Sequence, residues 1–191
     1  MKARDNPFAV ERVQTIRYRP LDTTFDEILV RLHELNYRAA IIGPEGSGKT
    51  TLLEDLQEIL RQKGLRTNLI FVNDTSPLDS PACRRLLAEL TRDTILLLDG
   101  ADLIRRGDWS LLKHHTITHA YGLIITAHRP GLLPTLLECS TSPALLREIV
   151  NELQPQDHAL TTEFLDRLHE RHQGNLRACL RDLYDVYAGI Y

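Results

Sequence analysis

Cysteine is scarce: Cys83, Cys139 and Cys179 are odd in number, far apart and in no C-x-x-C pair. They offer no zinc site and suit a reducing compartment. Long apolar runs are missing too, and nothing approaches the roughly 20 residues of a membrane span. The opening stretch, Met1-Lys2-Ala3-Arg4-Asp5-Asn6-Pro7, lacks the apolar segment of a signal peptide. These absences lead us to expect a cytoplasmic protein with no membrane partner. There is no large excess of charge of either sign. A net charge of −3 makes no electrostatic case for an anionic membrane surface, and it leaves nucleic acid open but unsupported as a partner. Lysine is rare as well: of 23 basic residues only Lys2, Lys49, Lys63 and Lys113 are lysine. There is no internal repeat and no low-complexity segment.

What is present is enough for one medium domain, or a core domain with a small appendage. The chain has 191 residues, 42% of them hydrophobic, and can bury a core without covalent staples.

The stretch that organises it is Gly43-Pro44-Glu45-Gly46-Ser47-Gly48-Lys49-Thr50, which fits G-x-x-x-x-G-K-[ST]. Arg38 to Ile42 before it is a short apolar run of strand length. Thr51 to Leu60 after it carries leucine and isoleucine at helical spacing. Strand, glycine-rich turn and helix are the context that a phosphate-binding loop requires. Glycines let the backbone fold tightly, so that successive N–H groups point at a phosphate, and the helix adds the positive end of its dipole. The loop residues Gly43, Pro44, Glu45, Gly46, Ser47, Gly48, Lys49, Thr50 and Thr51 are therefore the candidate ATP-binding set. Lys49 would reach the β- and γ-phosphates, and the Thr50 hydroxyl would ligate Mg²⁺.

In chain order, residues 1–20 read as an N-terminal arm with five basic residues (Lys2, Arg4, Arg12, Arg17, Arg19) against Asp5 and Glu11. Its reading is a solvated lead-in that packs Phe8 and Val10 on the domain, rather than a basic arm reaching a neighbour. Thr24 to Leu35 predicts an amphipathic helix, capped by Thr23 or Thr24 with Asp26 and Glu27 in its first turn. Gly64 ends the helix after the loop, and Thr67 to Val72 is a second strand. A turn-rich loop at Asn73 to Pro81 and a short helix at Cys83 to Leu90 follow. Thr94-Ile95-Leu96-Leu97-Leu98-Asp99 reads as a strand buried on both faces, with Asp99 at its carboxyl end, where open α/β sheets bind ligands. Asp99 is the second candidate Mg²⁺ residue. Trp109 to Ala120 reads as a helix, Tyr121 to Ala127 as a fourth strand and Thr135 to Cys139 as a short fifth. Helices are expected at Pro143 to Leu153, Thr161 to His172 and Asn175 to Tyr187. The expected fold is an α/β P-loop three-layer sandwich with a parallel sheet (core 21–141), followed by a small helical C-terminal lid (142–191).

From about Ala39 to Tyr187 the chain resembles the additional-strand P-loop ATPases, particularly AAA+ proteins and the related STAND and NACHT-type ATPases. Gly43 to Thr50 is similar to Walker A, and Ile95 to Asp99 to Walker B. Thr126 lies where such proteins place sensor 1. Gly174-Asn175-Leu176-Arg177 looks like the opening of the sensor 2 helix, which makes Arg177 the candidate γ-phosphate sensor. The resemblance implies a Mg²⁺-dependent ATPase or ATP-driven switch, acting on a protein client or in a homo-oligomer. One departure bears on hydrolysis. The glutamate that usually follows the Walker B aspartate is replaced by Gly100, and Asp99-Gly100-Ala101-Asp102 looks like the NACHT-type form. Asp102 is then the candidate that polarises the attacking water.

Other readings compete. Gly100 also suits an adaptor that holds ATP or ADP without hydrolysing it. A small-molecule kinase would need an arginine-rich lid, and the chain has few arginines clustered in that way. His128 lies 29 positions after Asp99, near the place of a transporter ATPase switch histidine, yet no signature sequence precedes Asp99. His128 then reads as lining the pocket edge or as merely polar at a strand end. His114, His115 and His119, like His169 and His172, read as solvated helix residues and not as metal ligands. Arg105, Arg106 and Arg129 read first as solvated loop arginines; as candidate arginine fingers, Arg129 is preferred because it follows the fourth strand.

Overall fold

A computed structural model of the chain describes residues 6–73, 78, 81–154 and 160–189. The chain divides into two compact units. The first comprises Asp22–Gly43 and Lys49–Cys139; the second comprises Pro44–Gly48 and the described residues of Met1–Leu21 and Ser140–Tyr191.

The first unit is a parallel sheet with helices packed on it. Its strands are β1 (Arg38–Ile42), β2 (Arg66–Phe71), β3 (Thr94–Asp99), β4 (Gly122–Ala127) and β5 (Thr135–Glu138). They lie in the order β2-β3-β4-β1-β5, every neighbouring pair parallel. Strand β4 thus stands between the strand that feeds the glycine loop and the strand that ends in Asp99. That is the additional strand the resemblance implies. The unbroken apolar runs have their physical reason here, since Ile95, Leu96, Leu97, Leu98, Leu123, Ile124 and Ile125 are all fully buried. Even-numbered residues of β3 (Leu96, Leu98) join Cys83 and Leu112 in one core, while their neighbours point to the opposite face.

The helices of this unit follow local signals. In α2 (Phe25–Glu34) Thr24 is the N-cap: its hydroxyl accepts from Glu27 N–H, and the Glu27 carboxylate accepts from Thr24 N–H. Helix α3 (Lys49–Gln62) buries Leu52, Leu53, Leu56 and Leu60 and packs on the sheet. Helix α4 (Pro81–Ala88) starts earlier than its apolar pattern suggests, with proline in its first position. Most of the loop expected before it falls outside the described residues. Helix α5 (Arg106–His119) leads into β4.

The second unit is helical. A short α1 (Val10–Val13), not expected from the sequence, accompanies α6 (Pro143–Leu153), α7 (Thr162–Arg171) and α8 (Leu176–Ala188). Ser142, Thr161 and Asn175 cap the three long helices through their side chains. Phe8 is buried in this unit's core with Leu146, Cys179 and Leu183. Val10, expected to pack beside it, is 65% exposed. Among the described residues no helix is long and apolar enough to cross a membrane.

Candidate functional site

Parallel register brings the carboxyl ends of β1, β3 and β4 to one edge of the sheet, with Ile42 opposite Ala127 and Leu98 opposite Ile125. Everything after these pairs projects past the sheet, where ligands of such folds bind. Gly43 follows β1 and donates its N–H to the Ala127 carbonyl at 3.3 Å. Lys49 opens α3, and its Nζ donates to the Gly43 carbonyl at 2.8 Å. Thr50, one residue further, donates its hydroxyl to Asp99 Oδ2 at 3.0 Å. Thr51 is half-buried in the same first turn.

Asp99 is held from its other side by β4. The Thr126 hydroxyl donates to Asp99 Oδ1 at 2.5 Å and accepts from Gly100 N–H at 2.9 Å. Thr126 is fully buried, so this bond network is sheltered from water and stiff. It ties the ends of β3 and β4 together one step beyond their last backbone pair.

The structure supplies a physical reason for Gly100. Its φ is 86°, in the left-handed region, and a Cβ built there would lie 2.5 Å from the Val72 carbonyl oxygen. Neither glutamate nor any other side-chain-bearing residue fits without strain. The left-handed turn launches a short 3₁₀ segment, Ala101–Leu103, anchored by buried Ala101. It carries Asp102 to the end of β4. There Asp102 Oδ2 accepts from the His128 backbone N–H at 2.6 Å and from His128 Nδ1 at 2.7 Å. The replacement of glutamate by glycine and the arrival of Asp102 beside His128 are two consequences of one turn.

The residues at this edge fit a Mg²⁺ ion in donor chemistry. Thr50 and Asp99 are hard oxygen donors already in contact, and a single carboxylate is what Mg²⁺ needs when phosphates and water complete its shell. Among the described residues no cluster of three or more His, Cys, Asp or Glu side chains could hold a metal unaided. Glu54, one turn after Thr50 on α3, had no sequence signal of its own. Partial burial pushes its carboxyl above the usual range, and the charges of Asp99 and then Asp55 push it further. A cation at Asp99 would relieve that repulsion.

The middle of the loop, Pro44–Gly48, belongs to the helical unit. Gly46 and Gly48 have φ of 70° and 89°. A Cβ at Gly46 would meet Asn175 Oδ1 at 2.0 Å, and one at Gly48 would meet the Tyr18 ring at 3.1 Å. Pro44 and Glu45 are exposed, while Ser47 is buried and donates its hydroxyl to the Pro44 carbonyl at 2.8 Å. Arg177 is exposed in the first turn of α8, two residues after the cap that backs Gly46.

Other candidates sit elsewhere. His115 and His119 stack with ring centroids 4.4 Å apart, and each bonds a backbone carbonyl. His172 pairs with Asp182 at 2.7 Å, and His169 meets the Thr141 hydroxyl. Arg105 pairs with Asp108, while Arg106 and Arg129 are exposed. The sequence undervalued His128, because its partner Asp102 is brought near only by the turn at Gly100.

No protein-family model matches the chain, and no curated protein sequence matches it. Solved structures do. The chain is similar to the Thermotoga maritima RuvB Holliday junction branch migration motor, with 18% identity and a TM-score of 0.56 over 85% of this chain and 60% of that one. A substituted form of that protein matches at 16% identity with a TM-score of 0.57, covering 90% of this chain and 65% of its own. The chain therefore spans less than two thirds of the length of these structures. The likeness shows the fold alone, a P-loop parallel sheet flanked by helices like that of the RuvB structures.

Proposed function

We propose that this chain binds ATP with Mg²⁺ at the sheet edge and hydrolyses it slowly, working as an ATPase or ATP-dependent switch. One observation carries the reading: Thr50, Asp99 and Thr126 are linked by hydrogen bonds at the carboxyl edge of a parallel sheet, directly after a loop of G-x-x-x-x-G-K-T form. Backbone N–H groups of Gly43 to Thr51 would cradle the phosphates, and Lys49 would leave the Gly43 carbonyl to neutralise them. Thr50 and Asp99 would hold Mg²⁺, which when bound neutralises phosphate charge. Thr126 keeps Asp99 oriented and is placed to pass changes at that carboxylate to β4. Arg177 is proposed as the second contact to the γ-phosphate.

For hydrolysis, Asp102 takes the proton of a water whose oxygen bonds to the γ-phosphorus. The bond from that phosphorus to the β-γ bridging oxygen breaks, giving ADP and phosphate. The RuvB likeness names a DNA motor, but the net charge of −3 gives no support for DNA here. The partner we propose is a protein client or a second copy of this chain in the cytoplasm, with exposed Arg129 as the candidate finger toward a neighbour's phosphate.

The test is a Mg²⁺-dependent ATP titration followed by turnover measurements on wild type, Lys49→Ala and Asp102→Asn. Binding lost in Lys49→Ala, together with binding kept and turnover lost in Asp102→Asn, is the expected result. Wild type that binds ATP with no turnover would make the chain a nucleotide-holding adaptor instead.

A further inference from the structure

The pair formed by His128 and Asp102 is built differently from a surface ion pair. Two donors of one residue, the backbone N–H and the ring Nδ1, converge on the same oxygen, Asp102 Oδ2, at 2.6 and 2.7 Å. His128 follows directly on β4, and Asp102 lies in the 3₁₀ turn after β3, so the pair joins the segments that leave two neighbouring strands. Asp102 Oδ1 makes no hydrogen bond among the described residues. The Asp102 side chain is 30% exposed and that of His128 57%, so water reaches both. A carboxylate clamped through one oxygen, in a partly exposed side chain whose other oxygen bonds to none of the described residues, keeps the capacity a proton acceptor needs.

We propose that His128 is the positioning residue for the hydrolytic carboxylate, fixing Asp102 so that Oδ1 meets the attacking water. This rests on the reading of Asp102 given above. Because a carboxylate can only accept, the ring must carry a proton on Nδ1. The backbone N–H alone does not prevent rotation of the carboxylate about its single bond. The ring donor does.

The experiment compares wild type, His128→Ala, His128→Asn and the double variant His128→Ala/Asp102→Asn, all in the full chain. Three things are measured: Mg·ATP affinity, kcat, and the ring ¹⁵N signals of His128 in the nucleotide-free protein. His128→Ala is expected to lower kcat by about tenfold, the size of one lost charge-assisted hydrogen bond, while ATP affinity stays within about twofold. His128→Asn, whose amide nitrogen can occupy the place of Nδ1, is expected to recover most of that loss. The double variant should be no slower than Asp102→Asn alone. Without nucleotide, His128 should show the Nδ1–H tautomer and lose that preference in Asp102→Ala.

His128→Ala with wild-type kcat, or a wild-type ring protonated on Nε2 instead, would overturn the inference while leaving ATP hydrolysis standing. A wild type without turnover removes the hydrolytic reading itself, and this inference with it.

Discussion

The polar edge of the sheet and the apolar interior of the helical unit are assembled in opposite ways. At the edge, Thr50 in the first turn of α3, Asp99 and Gly100 at the end of β3 and Thr126 in β4 meet because parallel register delivers the strand ends there, and hydrogen bonds join them. In the helical unit the core is closed by a distant part of the chain. Phe8 meets Tyr187 edge-on at 5.2 Å between ring centroids, and Asn6 Nδ2 donates to the Tyr184 carbonyl at 2.8 Å. The difference is that one region joins polar side chains by hydrogen bonds at the sheet edge, while the other packs apolar side chains that hold helices together. Substitutions should separate the two.

The largest effect on folding should come from Phe8→Ala. Removing a buried aromatic ring from the helical core is expected to cost about 3–5 kcal/mol, read by denaturant unfolding. A loss below about 1 kcal/mol would mean that the arm does not complete that core, and the comparison would break. Thr126→Val comes next. It keeps the shape but leaves the Gly100 N–H and one Asp99 oxygen without their partner, at an expected cost of about 1–3 kcal/mol. Calorimetry should also show weaker Mg²⁺-dependent ATP binding, restored in Thr126→Ser. Stability loss with unchanged nucleotide affinity would make this residue structural only.

Asn175→Ala should be milder, removing the α8 cap at about 1 kcal/mol, with Asn175→Asp close to wild type. The smallest expected effect is a pH dependence. Burial pushes the Cys179 thiol up to about 11, and the Asp182 carboxylate adds to it. The folded chain thus holds this proton more tightly than the unfolded chain, whose thiol has the ordinary value of 9.0. Its contribution to stability is complete below about pH 9 and is lost as pH rises toward about 11. Unfolding midpoints followed across that window should flatten in Cys179→Ala.

The two regions were not equally legible in the sequence. Strands β1 and β3 and helix α6 fall where the residue pattern puts them, because runs buried on both faces and a Ser-Pro helix start leave little choice. The meeting of Thr50 with Asp99 follows from the same logic, since a parallel sheet must bring both to one edge. Gly100 was legible only as a departure. Its reason lies in the Val72 carbonyl beside it, a contact between strands that no local pattern reports. The pairing of His128 with Asp102 was hidden for the same reason, and so was Glu54, whose neighbour Asp99 is far away in sequence. The arm was read in part: Phe8 packs as expected, but the short helix at Val10–Val13 turns Val10 outward.

The central claim is that the sheet edge is a Mg²⁺-nucleotide site, and calorimetric titration of ATP with and without Mg²⁺ tests it most directly. Wild type is predicted to bind ATP more tightly with Mg²⁺ than without. Lys49→Ala should lose about tenfold or more in affinity, and Asp99→Asn should lose the Mg²⁺ dependence. Absence of binding by wild type, or equal affinity in Lys49→Ala, would contradict it.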